Sequence, residues 1–138
     1  MTTASITEAI VSAIEAKKAS WSTYPLVIEY DNRIIVDLKT QTNPFLDARV
    51  IFMDGEQVNL GVNPRTRFFG QLHLSAVVRE GSGWKQARDL LDFFIPALAV
   101  QTLGGTVRMA GSRPAKQHPH LGWVYYPVLF PFEADTTT

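Results

Sequence analysis

Residues 122–132 form the stretch GWVYYPVLFPF, and this stretch limits the folds that the chain can adopt. Apolar residues occupy both sets of alternating positions, so a strand here carries apolar side chains on both faces. One face has Trp123, Tyr125, Pro127, Leu129 and Pro131, and the other has Val124, Tyr126, Val128, Phe130 and Phe132. Two apolar faces are typical of a strand that is covered on both sides.

The two prolines of this stretch indicate where the strand lies in its sheet. Pro127 and Pro131 have the same parity, so both missing N–H donors fall on one side of the strand. Because proline is tolerated in strands mainly at sheet edges, the pattern predicts an edge strand. Such a strand with two apolar faces favours a subunit contact, and we expect Trp123, Tyr125 and Leu129 to be buried by a neighbouring subunit or by the domain's own sheet edge. A helix over one face and a loop over the other would explain the pattern equally well.

The first half of the chain alternates helical and strand patterns. Near the N-terminus, Ser5 and Glu8 have the spacing of a capping box, and a helical stripe accompanies them. The positions of that stripe are Ile6, Ala9, Ile10, Ala13, Ile14 and Lys17. Strands are predicted at Leu26 to Tyr30, Ile34 to Leu38, Leu46 to Phe52 and Phe68 to Val78, with turns at Asp31-Asn32 and Asp54-Gly55.

The second half predicts a helix followed by short elements. Gly81-Ser82-Gly83 ends the long strand, and Ser82 is the expected cap of the helix that follows. Apolar residues from Trp84 to Leu98 recur at helical spacing. Pro96 is expected to kink the helix about a turn earlier or to start a second helical piece, and Gly104-Gly105 is expected to stop it. The remaining predictions are a short strand at Thr106 to Ala110, a loop at residues 111–121 and a fraying polar tail at residues 133–138.

Together these patterns predict a single α+β domain over residues 1–138. Its sheet is mixed or antiparallel, and the N-terminal helix and a long central helix pack on it. Trp21, Tyr24 and Trp84 are expected in its core.

Composition limits the classes of function. The chain has 138 residues, the length of one domain, and its 13 basic and 13 acidic residues give a net charge of zero. Balanced charge gives no electrostatic footprint for nucleic acid. The absence of cysteine excludes disulfides and thiolate metal sites. No cationic segment precedes an apolar one at the N-terminus, and polar residues or prolines interrupt each apolar stretch, so we expect neither a signal peptide nor a membrane segment.

Motifs for catalysis or metal binding are weak. His118 and His120 flank Pro119, and His73 is a candidate third ligand, but no carboxylate lies at ligand spacing. Two exposed loop histidines and one strand histidine are therefore the favoured interpretation. Gly81-Ser82-Gly83 lacks the lysine of a phosphate-binding loop. No Ser-His-Asp set or pair of carboxylates is visible. We therefore expect no catalytic, cofactor-binding or metal-ligating residues, no cofactor and no enzymatic activity.

Short motifs spread along the chain carry a family resemblance. They are Tyr24-Pro25 before a strand, Asn32 before the next strand, Gly70 opening a strand pattern, Gly81-Ser82-Gly83 before Ala87-x-x-Leu90-Leu91-Asp92, and the closing Pro127-Val128 and Pro131-Phe132. From about residue 5 to residue 133, the chain resembles the tail terminator (tail completion) proteins of long-tailed bacteriophages.

This resemblance implies a structural virion protein without catalytic residues. Subunits of that family form a hexameric ring that caps the tail tube, stops its growth and later presents a surface to the head-side connector protein. DNA passes through the lumen without sequence-specific binding, which zero net charge allows. The implied partners are further copies of the chain, the major tail (tube) protein and the connector. Assembly is expected in the host cytoplasm, with the virion tail or neck as the final location and no membrane contact.

A polar segment from Leu60 to Arg67 is the predicted contact with the tube. It is expected to be a loop or hairpin tip between two strands. Arginine forks pair with carboxylates at interfaces, so Asn63, Arg65 and Arg67 are the expected tube-contact residues. The alternative functions are a head–tail connector (neck) or minor tail subunit and, from a different class, a cytosolic small-ligand-binding module whose pocket the aromatic closing strand would line.

Overall fold

Two helices pack on one face of a mixed sheet in the computed structural model, which describes residues 3–31, 37–57 and 65–137. The helices are α1 (Thr3–Lys18) and α2 (Lys85–Leu98). The strands are β1 (Ile28–Tyr30), β2 (Phe45–Gln57), β3 (Arg65–Arg79), β4 (Thr102–Leu103), β5 (Val107–Met109), β6 (Arg113–Pro114), β7 (His118–His120) and β8 (Trp123–Thr137). The sheet order is β1-β2-β3-β8-β5-β4, and β6 and β7 also pair with β8. The predicted α+β class is confirmed.

The sheet is mixed because β1 pairs with β2 in parallel, whereas the other pairs in the described part of the chain are antiparallel. The register between β2 and β3 shifts between Phe52 and Gly55. The turn predicted at Asp54-Gly55 is therefore wrong. β2 continues to Gln57, and the shift is a bulge that changes the register without reversing the chain.

Two predicted segments before β2 lie partly outside the described residues. These are the turn at Asp31-Asn32 and the strand from Ile34 to Leu38; within the described part, Asp37 and Leu38 are not in a strand. The strand predicted from Leu26 is shorter than expected and begins at Ile28.

β8 is an internal strand and not the predicted edge strand. It pairs with β3 along its whole length, from Arg79↔Trp123 to Arg65↔Thr137. The fraying tail predicted at residues 133–138 is wrong up to Thr137, because pairing with β3 holds these residues in the sheet. On its other side β8 meets β7, β6 and β5 in succession, so the predicted loop at residues 111–121 contributes two strands.

The parity argument for the prolines of β8 is confirmed. The carbonyls of Pro127 and Pro131 accept hydrogen bonds from the amides of Ala115 (3.0 Å) and Ala110 (2.7 Å), respectively. Both prolines therefore direct their backbone groups to the same side of β8. That side is not a free edge, because the short strands β5 to β7 cover it.

The helices cover the face formed by the even-numbered residues of β3, β8 and the first part of β2. Ile6, Ile10 and Ile14 of α1 are fully buried there, as the helical stripe predicts. α2 contributes Ala87, Leu90, Leu91, Phe94 and Leu98. The sheet contributes Leu46, Ala48, Leu72, Leu74, Ala76, Val78, Val128, Phe130, Phe132 and Ala134. In the described ranges, neither helix is long and apolar enough to cross a membrane.

The helix boundaries differ from the sequence prediction. α1 begins at Thr3, so Ser5 lies inside the helix and is not its cap. α2 has 14 residues against 16 in α1, so the predicted long central helix is not seen. It begins after Trp84, and the Ser82 hydroxyl donates to the Arg79 carbonyl at 2.7 Å, which closes the strand-to-helix turn.

The end of α2 and the position of its first aromatic residue also differ. The helix ends at Leu98, before Gly104-Gly105, because Ala99 is extended and Val100 adopts a φ of 56°. Trp84 is 60% exposed and is not a core residue. Trp21 and Tyr24, in contrast, pack against the core as predicted.

Gly70 lies where β3 has no room for a side chain against its neighbours. A Cβ at this position would lie 2.5 Å from the carbonyl oxygen of Ile51 and 2.5 Å from Cζ of Phe132. Since one of these contacts is with backbone, Gly70→Ala should force the strands apart and lower the free energy of unfolding by about 2–3 kcal/mol. Urea unfolding followed by tryptophan fluorescence measures the loss. Gly111→Ala is the matched control, because a Cβ there meets nothing within 4 Å; equal stability of the two variants would contradict the prediction.

Candidate functional site

Residues of β2, β3 and β8 that point away from the helices form an open face of the sheet. Their rows follow from the register, which places Asp47 opposite Ser75 and Ser75 opposite Pro127. The neighbouring rows are Arg49–His73–Leu129 and Ile51–Gln71–Pro131. The open face is defined here by Asp47, Arg49, Ile51, Gln71, His73, Ser75, Tyr125, Pro127, Leu129 and Pro131.

A second, smaller core closes one end of the open face. Phe45, Val77 and Trp123 are buried together there. The indole N–H of Trp123 donates to the Leu38 carbonyl at 3.2 Å. The guanidinium of Arg79 lies 4.9 Å from the centroid of the same indole ring, at cation–π distance.

The three predicted interface residues have different surroundings. Trp123 is only 1% exposed, so its own chain already covers it. Tyr125 and Leu129 are partly exposed. Only these two are therefore available for contact with another chain.

A groove of about 470 Å³ crosses the open face beside β7. All three histidines of the chain, His73, His118 and His120, line it. The ring of His118 stacks on Tyr125 with centroids 5.2 Å apart, and His120 meets the same ring edge-on at 6.1 Å. The histidines line one groove because β3 and β7 pair with β8 from opposite sides.

Asp47 is the buried charged group of this groove. It is 7% exposed, and Nε of Arg49 lies 3.3 Å from its Oδ2. Burial raises the pKa of Asp47, and the nearby Glu29 and Asp31 charges raise it further. The Arg49 charge opposes this rise but does not cancel it. Burial also raises the pKa of Tyr125, with a further contribution from the Asp47 charge.

The groove offers polar groups for recognition. Ser75 is 7% exposed and faces Asp47 across the β2–β3 pair. Carboxylate, hydroxyl and imidazole groups in one concave site can bond to a ligand or to side chains of another protein. Although the histidines converge, the described part of the chain has no group of three His, Asp or Glu side chains placed to hold a metal ion.

The predicted tube-contact residues are not part of the groove. Asn63 lies outside the described residues. Arg65 and Arg67 belong to β3, where they lie opposite Thr137 and Asp135. The predicted loop from Leu60 to Arg67 therefore ends before Arg65, because pairing with β8 extends β3 toward its start.

The sequence analysis missed the grouping of Asp47, Arg49 and Ser75 with the histidines. The local signal was present, because these residues occupy the positions of β2 and β3 that alternate with core residues. That signal indicates only a solvated face. Their convergence depends on the pairing of β2 with β3 and of both β3 and β7 with β8. Because β3 is distant in sequence from β7 and β8, a local pattern does not encode it.

Comparisons with known proteins show the fold and no more. No family model matches the chain, and no curated protein matches it. Solved structures do match, with 13 chains in all. One of them has a TM-score of 0.66 and 16% sequence identity, and the alignment covers 93% of this chain and 94% of the other. The name of that protein describes no function, so the likeness supports the architecture alone.

The raised pKa of Asp47 predicts how stability depends on pH. A carboxyl group whose pKa is raised by folding is neutral in the folded state over a wider range, so ionisation destabilises the fold as pH rises above the unfolded value of 3.8. Asp47→Asn removes this charge and should raise the free energy of unfolding at neutral pH. The gain should vanish as pH falls below 3.8, as measured by urea unfolding at several pH values.

The matched control for this experiment is Asp89→Asn, which breaks an exposed ion pair with Lys85 at 2.9 Å. Exposed pairs of this kind contribute about 0.5 kcal/mol or less, so the control should change little. A loss of stability in Asp47→Asn at neutral pH would contradict the prediction, because the pair with Arg49 would then outweigh the cost of burial.

Proposed function

We propose that this protein is a tail terminator subunit of a long-tailed bacteriophage. Copies of it form a ring that caps the tail tube, ends tail growth and provides the head-joining surface. The sequence motifs from Tyr24-Pro25 to Pro131-Phe132 support the proposal, and the α+β fold is compatible with it. The observation that carries it is the open face, which combines apolar surface with a polar groove.

The open face carries apolar surface that another chain would cover. Ile51 is 42% exposed on this face. Met53, two residues further along β2 and outside the residues that define the open face, is 52% exposed. Pro131 in the same row as Ile51 and Leu129 in the neighbouring row are partly exposed. Apolar residues grouped with polar ones on an exposed surface mark contact sites. In a closed ring each subunit contacts its two neighbours through different surfaces, so the open face would meet a different surface of the next copy.

The proposal assigns the partners by class. They are further copies of the chain, six in a hexameric ring, the major tail (tube) protein and a head-side connector protein. DNA passes through the lumen without sequence-specific contact, and balanced charge is compatible with this passage. The protein then acts in the virion tail or neck after assembly in the host cytoplasm, without enzymatic, cofactor or membrane roles. A neck or minor tail subunit is the related alternative, which binding to preformed tail tubes distinguishes.

A small-ligand-binding module is the second candidate, and the groove favours it. Its volume of about 470 Å³ lies within the range of about 300–1,000 Å³ that is typical of ligand sites. Convergent polar groups and the raised pKa of Asp47 are also typical of such sites. A chain that stays monomeric at every concentration and binds no tail tube would favour this candidate over the ring.

Tyr125→Asp tests the ring. A charge at this partly exposed position, close to Asp47, should weaken assembly by about 30-fold or more if the open face is the contact. Size exclusion with light scattering should shift from about six times the 15.4 kDa of one chain toward the monomer. Far-UV circular dichroism should not change.

Trp84→Asp is the matched control for the ring experiment, because it removes an exposed aromatic residue at the start of α2 and away from the open face. This variant should keep the ring. Unfolding of Tyr125→Asp would show that Tyr125 supports the fold of its own chain and would contradict its role in the proposed contact. Dissociation of Trp84→Asp alone would move the contact to the helical side.

Shortening the β2–β3 connection tests the tube contact. The two strands pair as far as Gln57↔Thr66, so a short glycine-containing turn can replace residues 58–64 and leave this pairing in place. If Asn63 contributes to the tube contact with Arg65 and Arg67, phage carrying the variant should give unjoined or overlong tails in negative-stain microscopy. Arg88→Ala, an exposed arginine of α2, is the control and should give normal tails. Normal tails from both variants would leave the connection as a linker only.

A further inference from the structure

The outer side of β6 and β7 has a backbone pattern that bears on self-association. Odd-numbered residues of β8 direct their amides and carbonyls toward β5, β6 and β7, as the bonds to Pro127 and Pro131 show. In an antiparallel pair, residues opposite these positions point their own backbone groups at β8, and the residues between them point away. The amide of Glu80, directly after β3, donates to the carbonyl of Gly122, directly before β8. An even-numbered residue therefore directs its backbone group toward β3, as this alternation requires.

Both outward positions of these short strands are occupied by proline. Pro114 lies opposite Val128, and Pro119 lies opposite Val124, so each is opposite an even-numbered residue of β8. The remaining residues of the two strands lie opposite odd-numbered residues of β8, so their backbone N–H and C=O groups point toward β8. These residues are Arg113, His118 and His120. The outward side of β6 and β7 thus offers carbonyl oxygens but no N–H donor.

This side is exposed and is not covered by another strand of the described chain. Each residue of β6 and β7 is exposed, and both strands pair only with β8 in that part of the chain. An exposed edge with free donors and acceptors is a template for pairing with another chain, and proline is one device that prevents it.

We propose that Pro114 and Pro119 close this edge of the sheet to a strand from a second copy of the chain. Self-association at β6 and β7 cannot then proceed by extending the sheet. This inference concerns the free edge and does not depend on the proposed function.

The double variant Pro114→Thr/Pro119→Thr tests the inference. Threonine restores the N–H donor at each outward position and favours the strand conformation without adding a large apolar side chain. Because each regained hydrogen bond strengthens pairing several-fold, the double variant should self-associate at about tenfold lower concentration than the unmodified chain. Size exclusion with light scattering over a concentration series measures this, and the amide I infrared band identifies intermolecular strand pairing.

Gln117→Thr is the matched control, since it introduces the same residue at an exposed position between the two strands, where the backbone N–H donor is already present. It should associate as the unmodified chain does. The proposal is overturned if the double variant keeps its fold and the unmodified concentration dependence, or if Gln117→Thr associates as strongly as the double variant. If the double variant does not fold, the single variants decide: each should show an intermediate shift, and two unshifted single variants overturn the proposal. A chain that forms no ring before substitution would count against the proposed function only, because the comparison between variants stays measurable.

Discussion

The unbroken pairing of β3 with β8 is the constraint on which the rest of the structure depends. Both strands have 15 residues, and they pair along their full length. Because side chains alternate with a period of two, this register decides which residues reach the helices and which form the open face. A slip of one residue would expose Phe130 to water and bury Leu129 against the helices, so the helical core and the open face are fixed together.

Proline determines what lies on the other side of β8. A single long strand would need donors from β8 at Pro127 and Pro131, and neither residue has an amide hydrogen. The segment that pairs with β8 on this side is therefore divided into the short strands β5, β6 and β7. The amides of Ala110 and Ala115, which follow β5 and β6, donate to the carbonyls of Pro131 and Pro127. This segmentation places β7 beside the start of β8, where its histidines border the groove. The missing amide hydrogens of Pro127 and Pro131 thus account for both the interrupted edge and the position of β7 beside the groove.

Local patterns predicted the elements well and their neighbours poorly. The stripe of α1 and the alternation in β2 and β3 appear in the structure because each needs only one buried face. Asp54-Gly55 is a signal for a turn and equally for a bulge, and only pairing with β3 distinguishes the two. The polar residues after Phe132 were predicted as a tail because the β3 residues that they pair with lie about half a chain length away in sequence. The candidate site was not predictable for the same reason, since burial of Asp47 requires the register of β1, β2 and β3.

Asp47 and the edge prolines place different limits on how copies can meet. Burial raises the pKa of the Asp47 carboxyl group. The face on which Asp47 lies also carries exposed Ile51 and partly exposed Leu129. Contact through such a face is set by side-chain packing, which fixes the angle between neighbours. Contact through a sheet edge repeats the same backbone pairing and can continue without limit. A ring closes only when the angle between neighbours is fixed. Under the proposed function, copies would bind through the open face and not through the edge that Pro114 and Pro119 close. Such contacts favour an assembly that stops at a defined size, which is the property that a tail terminator requires.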